Sequence, residues 1–109
     1  MTQSNLNESK IYKALGDPAR LKMIHRLSNG SAKTIGELSK NLNMTRQGAR
    51  KQLQVLVQSN LVKLNKSGRE THVVINIKTL EKARTFIYNI EKQWDARLNA
   101  LKNFVEAEF

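Results

Sequence analysis

The sequence predicts a mainly α fold with one β-hairpin, in the order α-α-α-α-β-β-α, within a single domain of residues 1–109. Three observations carry this. Apolar residues return every three or four positions over most of the chain, β-prone runs interrupt that period only at 61–64 and 71–77, and helical spacing then resumes without Gly or Pro from Lys78 to about Phe104. A chain of 109 residues has room for one domain and one modest core.

Residues 8–15 form a first amphipathic stretch, with Ile11, Ala14 and Leu15 on one face. Gly16, Asp17 and Pro18 then break the chain; Asp17 suits a helix cap and Pro18 the first turn, where a missing N–H costs nothing. Leu21, Ile24 and Leu27, with Met23 alongside, give a second helix that stops at Ser28-Asn29-Gly30. Thr34 and Glu37 fit a capping box for a short third helix that buries Leu38 and Leu42. Asn41-Leu42-Asn43 is a turn, and Thr45 caps a fourth helix over 45–59. Its inner face is Ala49, Leu53 and Leu56; Gln47, Arg50, Lys51, Gln54 and Gln58 fall opposite.

Residues 61–77 read as a hairpin whose tip is 65–69, with Gly68 supplying the positive φ of the turn. From 78 to 106 a long helix carries a stripe of Leu80, Ala83, Ile87, Ile90, Trp94, Leu98, Leu101 and Val105. At 1.5 Å per residue this seam is about 40 Å long, more than so small a domain covers alone.

Charge narrows the partners. The chain holds 19 Lys+Arg against 9 Asp+Glu, a formal net charge of +10, which favours a polyanion such as nucleic acid. Residues 44–77 hold six basic groups and one acid, Glu70, whereas 78–109 hold six basic and five acidic groups, so the excess sits in the middle of the chain. Cysteine is absent, which removes disulfides, thiolate metal sites and a Cys nucleophile. No secretion signal or membrane-spanning run is read, so a cytoplasmic protein without membrane partners is expected.

A short capped helix, a tight turn and a longer helix with a basic, amide-rich outer face are the parts of a helix-turn-helix, here residues 34–59. Double-stranded DNA fits, because the major groove admits one helix and long Arg, Lys and Gln side chains reach base edges. The hairpin would act as a wing, with Lys66 and Arg69 on the flanking backbone or minor groove.

In order, the runs from Ala14 to Ile24, Thr34 to Leu38, Met44 to Gln47, Leu53 to Leu56, Leu61 to Lys63 and Ser67 to Thr71 resemble the ArsR family of bacterial winged-helix repressors over nearly the whole chain. The resemblance implies a homodimer built from its first and last helices (8–15 and 78–106), contributing Ile11, Leu15, Ile87, Ile90, Trp94, Leu98 and Leu101. It places DNA contacts on Thr45, Arg46, Gln47, Arg50, Lys51 and Gln52, with Arg69 on the wing; Gln54 joins them from the outer face of the same helix. Family members often carry Ser and His where this chain has Arg50 and Gln52, so the operator sequence does not transfer. Trp94 to Leu98 and Leu101 resemble a subgroup without metal-sensing residues, and Thr34 to Leu38 lack the Cys pair of metal sensors. No metal and no cofactor are therefore expected, and the signal that relieves repression, an inducer or an anti-repressor protein, is left open.

Plainer readings stand beside these. Arg50, Lys51 and Arg69 would each alone be solvated surface, His25 and His72 are structural rather than ligands, Trp94 belongs to a dimer core rather than an inducer pocket, and Met23 and Met44 pack core and turn. No phosphate loop, Ser-centred elbow or apolar carboxylate pair suggests an enzyme. The competing class is a winged-helix module for protein or RNA, which an aromatic or acidic outer face on the fourth helix would favour.

Overall fold

Side-chain caps set three of the five helix starts. In the computed structural model, which describes residues 3–108 with side chains from Glu8 to Glu108, α1 spans Gln3–Leu15 and α2 Pro18–Leu27. Met1, Thr2 and Phe109 of the expected domain lie outside the described residues. The Asp17 carboxylate accepts from the Ala19 and Arg20 N–H groups (2.9 and 3.2 Å), with Pro18 in the first turn. Thr34 Oγ1 accepts from Glu37 N and Glu37 Oε1 accepts from Thr34 N, so the capping box heads α3, Ile35–Ser39. Thr45 Oγ1 accepts from Gly48 N at the start of α4, Arg46–Gln58. The link between α3 and α4 turns on Asn41 and Asn43, both at positive φ (63° and 56°), a conformation that Asn tolerates better than most residues.

The end of α4 is a Schellman motif with Asn60 in place of glycine, at φ 63°. The Leu61 N–H donates to the Leu56 carbonyl and the Asn60 N–H to that of Val57, each at 3.0 Å. Leu56 and Leu61 are both fully buried at this corner.

The sheet has one strand more than the sequence suggests. β1 (Lys33–Thr34) pairs antiparallel with β3 (Glu70–Ile75), which pairs with β2 (Val62–Ser67), giving the order β1-β3-β2. Two-residue β1 carries no local pattern; its partners Val73 and His72 are distant in sequence. The hairpin is also tighter than expected. Strand pairing runs out to Ser67 opposite Glu70, leaving a two-residue turn of Gly68 (φ 63°) and Arg69. Its second strand stops at Ile75 rather than Ile77. The Asn76 N–H donates to the Leu61 carbonyl (2.9 Å), while the Asn76 carbonyl accepts from Thr79 and Leu80 and starts α5, Ile77–Glu108. The first bond continues the ladder with β2, and the turn of helix that takes up the Asn76 carbonyl ends the strand despite the β preference of Ile77.

The core joins Ile11 and Ala14 of α1, Met23 and Leu27 of α2, Leu38 of α3, Ala49, Leu53 and Leu56 of α4, Leu61, Val62 and Val73 of the hairpin, and Ala83 of α5. Leu21 does not join it. Met23 and Leu27, four residues apart, define the inner face of α2, and Leu21 is left 50 % exposed. α5 touches the core only at its start: Thr79 and Ala83 are buried, Leu80 is half-buried, and every residue from Arg84 to Glu108 is exposed. The protruding helix gives the chain extents of 69 × 30 × 23 Å. No described helix is long and apolar enough to cross a membrane.

Candidate nucleic-acid interface

Burying Ala49, Leu53 and Leu56 fixes the rotation of α4 about its axis, so Arg46, Gln47, Arg50, Lys51 and Gln54 must point away from the core. All five are exposed and line one shallow hollow of about 540 Å³ that has no acid in its wall. Thr45, at the cap, is exposed beside them and uses its hydroxyl to accept from Gly48 N.

Gln52 behaves differently from its expected role. It lies on the flank of α4, half-buried, and its Oε1 accepts from Arg20 Nη1 at 2.5 Å. The same guanidinium donates through Nε to the Ala14 carbonyl (2.6 Å) and through Nη2 to that of Lys13 (3.3 Å). Arg20 therefore ties the C-terminal carbonyls of α1 to α4. Sequence patterning gave no sign of this, because the partners are six and thirty-two residues away. Arg26 plays a similar part for α3, donating to the Leu38 carbonyl at 2.8 Å.

On the hairpin, Lys66 stands in β2 opposite Thr71, and Arg69 occupies the turn itself; both are exposed. The acid nearest the tip, Glu70, meets His72 Nε2 at 3.3 Å and so points along the strand toward a base of its own. Between α4 and the hairpin lies a cleft of about 330 Å³, walled by Ile35, Leu53, Val57, Leu64 and Val73, with Arg50 and Gln54 at its edge. The wing and the helix thus leave a furrow bordered by hydrogen-bonding side chains.

The expected interface residues divide. Ile87, Ile90, Trp94, Leu98 and Leu101 are 47, 52, 60, 46 and 59 % exposed along α5. Leu15 is half-buried at the end of α1. Ile11 is a correction: only 3 % exposed, it belongs to this chain's own core and has no surface left for a partner. A contact the sequence did not reveal holds α1 to α5, where the Tyr12 hydroxyl donates to the Ala83 carbonyl (2.8 Å) and its ring lies 5.7 Å from that of Phe86. Burial, and then the nearby Glu8 carboxylate, push the Tyr12 hydroxyl above its ordinary pKa. His25 is exposed and His72 half-buried, and among the described residues no three His, Asp or Glu side chains group to hold a metal ion.

Comparison with known proteins agrees with this geometry. A helix-turn-helix domain family matches residues 15–65, from the end of α1 into the hairpin. The fold is similar to that of an ArsR-like transcriptional regulator from Rhodococcus sp. RHA1, with a TM-score of 0.80, 26 % identity, and coverage of 94 % of this chain and 96 % of that one. A crystal structure of another ArsR-family transcriptional regulator gives a TM-score of 0.77 at 26 % identity, covering 87 % and 97 %. The transcriptional repressor BigR from Xylella fastidiosa shares the fold at 21 % identity, with a TM-score of 0.58 and coverage of 83 % and 96 %. No curated protein matches the chain significantly.

Proposed function

We propose that this chain, which belongs to the ArsR family of winged helix-turn-helix transcriptional regulators, acts as a homodimeric repressor that occupies an imperfect palindrome and so blocks promoters. It is a DNA-binding regulator by family and fold. The observation that supports the finer reading best is the outer face of α4, where Arg46, Gln47, Arg50, Lys51 and Gln54 surround one exposed, acid-free hollow. In the major groove, Gln47 and Arg50 read base edges, while Thr45, Arg46, Lys51 and Gln54 set the helix on the phosphates. Lys66 and Arg69 follow the flanking backbone or minor groove. Arg20 takes up the Gln52 Oε1, so a contact from Gln52 would have to come from its amide N–H groups.

Dimerisation follows from the uncovered stripe on α5. Soluble monomers rarely tolerate so long a contiguous apolar patch, and an isologous two-fold pairing covers it on both chains at once. The same axis spaces two reading helices by about one DNA turn, roughly 34 Å. No metal acts as the effector in this reading, because the chain has no cysteine to supply thiolates and its last helix has no histidine to supply imidazoles. Micromolar zinc, cadmium or arsenite should leave operator binding unchanged.

Salt titration of duplex binding tests the mechanism. A dimer neutralising about eight to ten phosphates should show log K falling against log salt with a slope near −7 to −9. Binding that hardly changes between low and physiological salt would refute it. The rival module reading, for RNA or protein, loses ground because α4 carries no aromatic side chain on which bases could stack; an RNA competitor that outcompetes the duplex would reinstate it.

A further inference from the structure

Beside the polar outer face of α4 lies an apolar cleft. It measures about 330 Å³ between α4 and the hairpin, walled by Ile35, Leu53, Val57, Leu64 and Val73. Strand register explains why it stays open. Side chains alternate along a strand, so the paired residues Leu64 and Val73 point into the cleft together, and Lys66 and Thr71 form the next pair on that face. Val73 stands on the central strand of the sheet and is 1 % exposed; Leu64 stands on an edge strand and is 47 % exposed. Outside α5, Leu21, Val55 and Leu64 are the large apolar side chains left exposed among the described residues, and of these only Leu64 shares a cavity with Arg50 and Gln54.

The rim of this cleft is basic. Arg50 and Gln54 stand on its helix side and Thr71 on its hairpin side, with Lys66 paired beside Thr71. No acid lines it, and among the described residues Arg50 has no ion-pair partner. Glu70 alternates to the other face of the hairpin, where it meets His72. A concave site of this size, with apolar walls and a few polar groups to fix orientation, is the usual form of a small-molecule site. Arg50 and Gln54 also border the hollow on the outer face of α4. The same two side chains thus serve both surfaces.

We propose that the cleft binds a small organic acid, an apolar body carrying one carboxylate, and that this ligand relieves repression by taking Arg50 from DNA. The inference rests on the repressor reading above and adds the chemistry of the signal and the place where it acts. The body lies against Leu53, Val57 and Leu64, and the carboxylate meets Arg50, whose planar guanidinium donates two parallel N–H bonds to such a group. Thr71 and Gln54 supply further donors at the rim. Charge selects the class of ligand. A cation would be repelled by Arg50 and Lys66, and a neutral molecule would cover Arg50 without giving it a partner, which costs binding energy. Inorganic anions leave the apolar walls in water. With its guanidinium held by the carboxylate, Arg50 does not reach a base edge, so ligand and operator exclude each other without any change of fold.

Cinnamate, a phenyl ring with one carboxylate, serves as the probe. Calorimetry on the free chain should show it binding, with the neutral cinnamamide about tenfold weaker. Arg50→Ala should bring cinnamate down to the level of the amide. Leu64→Gln, at a half-exposed side chain outside the proposed DNA contact, should weaken cinnamate about tenfold and leave duplex affinity unchanged. With a labelled duplex selected from a random pool, the apparent Kd for DNA should rise in proportion to cinnamate without a ceiling; a ligand acting from a separate site raises it only to a fixed factor. Cinnamate binding that survives Leu64→Gln would place the ring elsewhere, on the α5 stripe for example, and overturn the proposal. Equal binding of acid and amide, a ceiling in the DNA titration, or no binding of either cinnamate or octanoate at millimolar levels would each overturn it as well. A chain that holds cinnamate by these criteria but binds no duplex would remove the repressor reading and with it the relief of repression; duplex binding without any acid in the cleft would remove the ligand alone.

Discussion

Two helices of this chain share one spacing of apolar residues and meet opposite fates. On α4, Ala49, Leu53 and Leu56 are 0–7 % exposed; on the distal part of α5, Ile87, Ile90, Trp94 and Leu98 are 46–60 % exposed. The period identifies an apolar face in both, but coverage depends on what the rest of the chain can reach. α4 is enclosed by α2, α3 and the hairpin, whereas α5 outruns the body after Ala83. The difference separates residues that hold the domain together from residues that one chain leaves uncovered.

The strongest way to break that contrast is a charge on the exposed stripe. Ile90→Glu should dissociate the proposed dimer, because an unpaired charge buried in an interface costs several kcal/mol. Operator affinity should drop with it by two orders of magnitude or so, since one half-site loses the gain of linked binding. A variant that stays dimeric by sedimentation and keeps full affinity would sink the assembly.

Next in size is the core itself. Leu56→Ala should lower the unfolding free energy by about 2–5 kcal/mol through lost burial and a residual cavity. At concentrations where the chain is monomeric, Leu98→Ala should cost no more than about 0.5 kcal/mol, as for an ordinary surface site. Denaturant titration of the two variants side by side sharpens the comparison; similar losses would show that the distal helix is covered within one chain.

On the reading face the expected effects are smaller and selective. Arg50→Ala should lose about 1–3 kcal/mol of discrimination between operator and random DNA, while Lys66→Ala should weaken both alike. Competition binding with the two DNAs separates these outcomes, and equal non-selective losses would abolish the assigned division of roles.

The smallest expected effect lies at the head of α3. Thr34→Ala should cost about 1 kcal/mol as a lost cap. Hydrogen bonds from the Thr34 backbone and hydroxyl hold the Glu37 carboxyl below its ordinary value of 4.5; slight desolvation opposes them, and Lys33 and His72 add to the lowering. A lowered folded pKa means that Glu37 stabilises fully above the unfolded value, and that this contribution fades as pH falls through the folded one. Melting curves taken from pH 6 downward should therefore show a steeper acid loss for the wild type than for Glu37→Gln.

The caps were legible because their signals are local: Asp17-Pro18, Thr34 with Glu37, and Thr45 each act within three residues, and each is present in the structure. The inner and outer faces of α4 were legible for a similar reason, one period governing a whole helix. What escaped depends on distance along the chain. β1 exists only through Val73 and His72, Gln52 is withdrawn from the outer face by Arg20, and Ile11 is claimed by the chain's own core. Leu21 shows the limit of periodicity even within one helix, since three- and four-residue steps from Leu27 and Met23 admit two candidate faces and packing selects one.

The hairpin turn carries a further consequence for how such a wing can change length. With Ser67 paired to Glu70 and only Gly68 and Arg69 between them, the loop has no slack to absorb an insertion. Side chains alternate between the two faces of a strand, so one residue added to each strand would exchange the faces of everything between the insertion and the tip, Lys66 included. Length can therefore vary without rearranging chemistry only in steps of two residues per strand, about 6.6 Å of added reach each. Wings grafted between proteins of this architecture should keep their charge pattern when strand lengths differ by an even number, and invert it when they differ by an odd one.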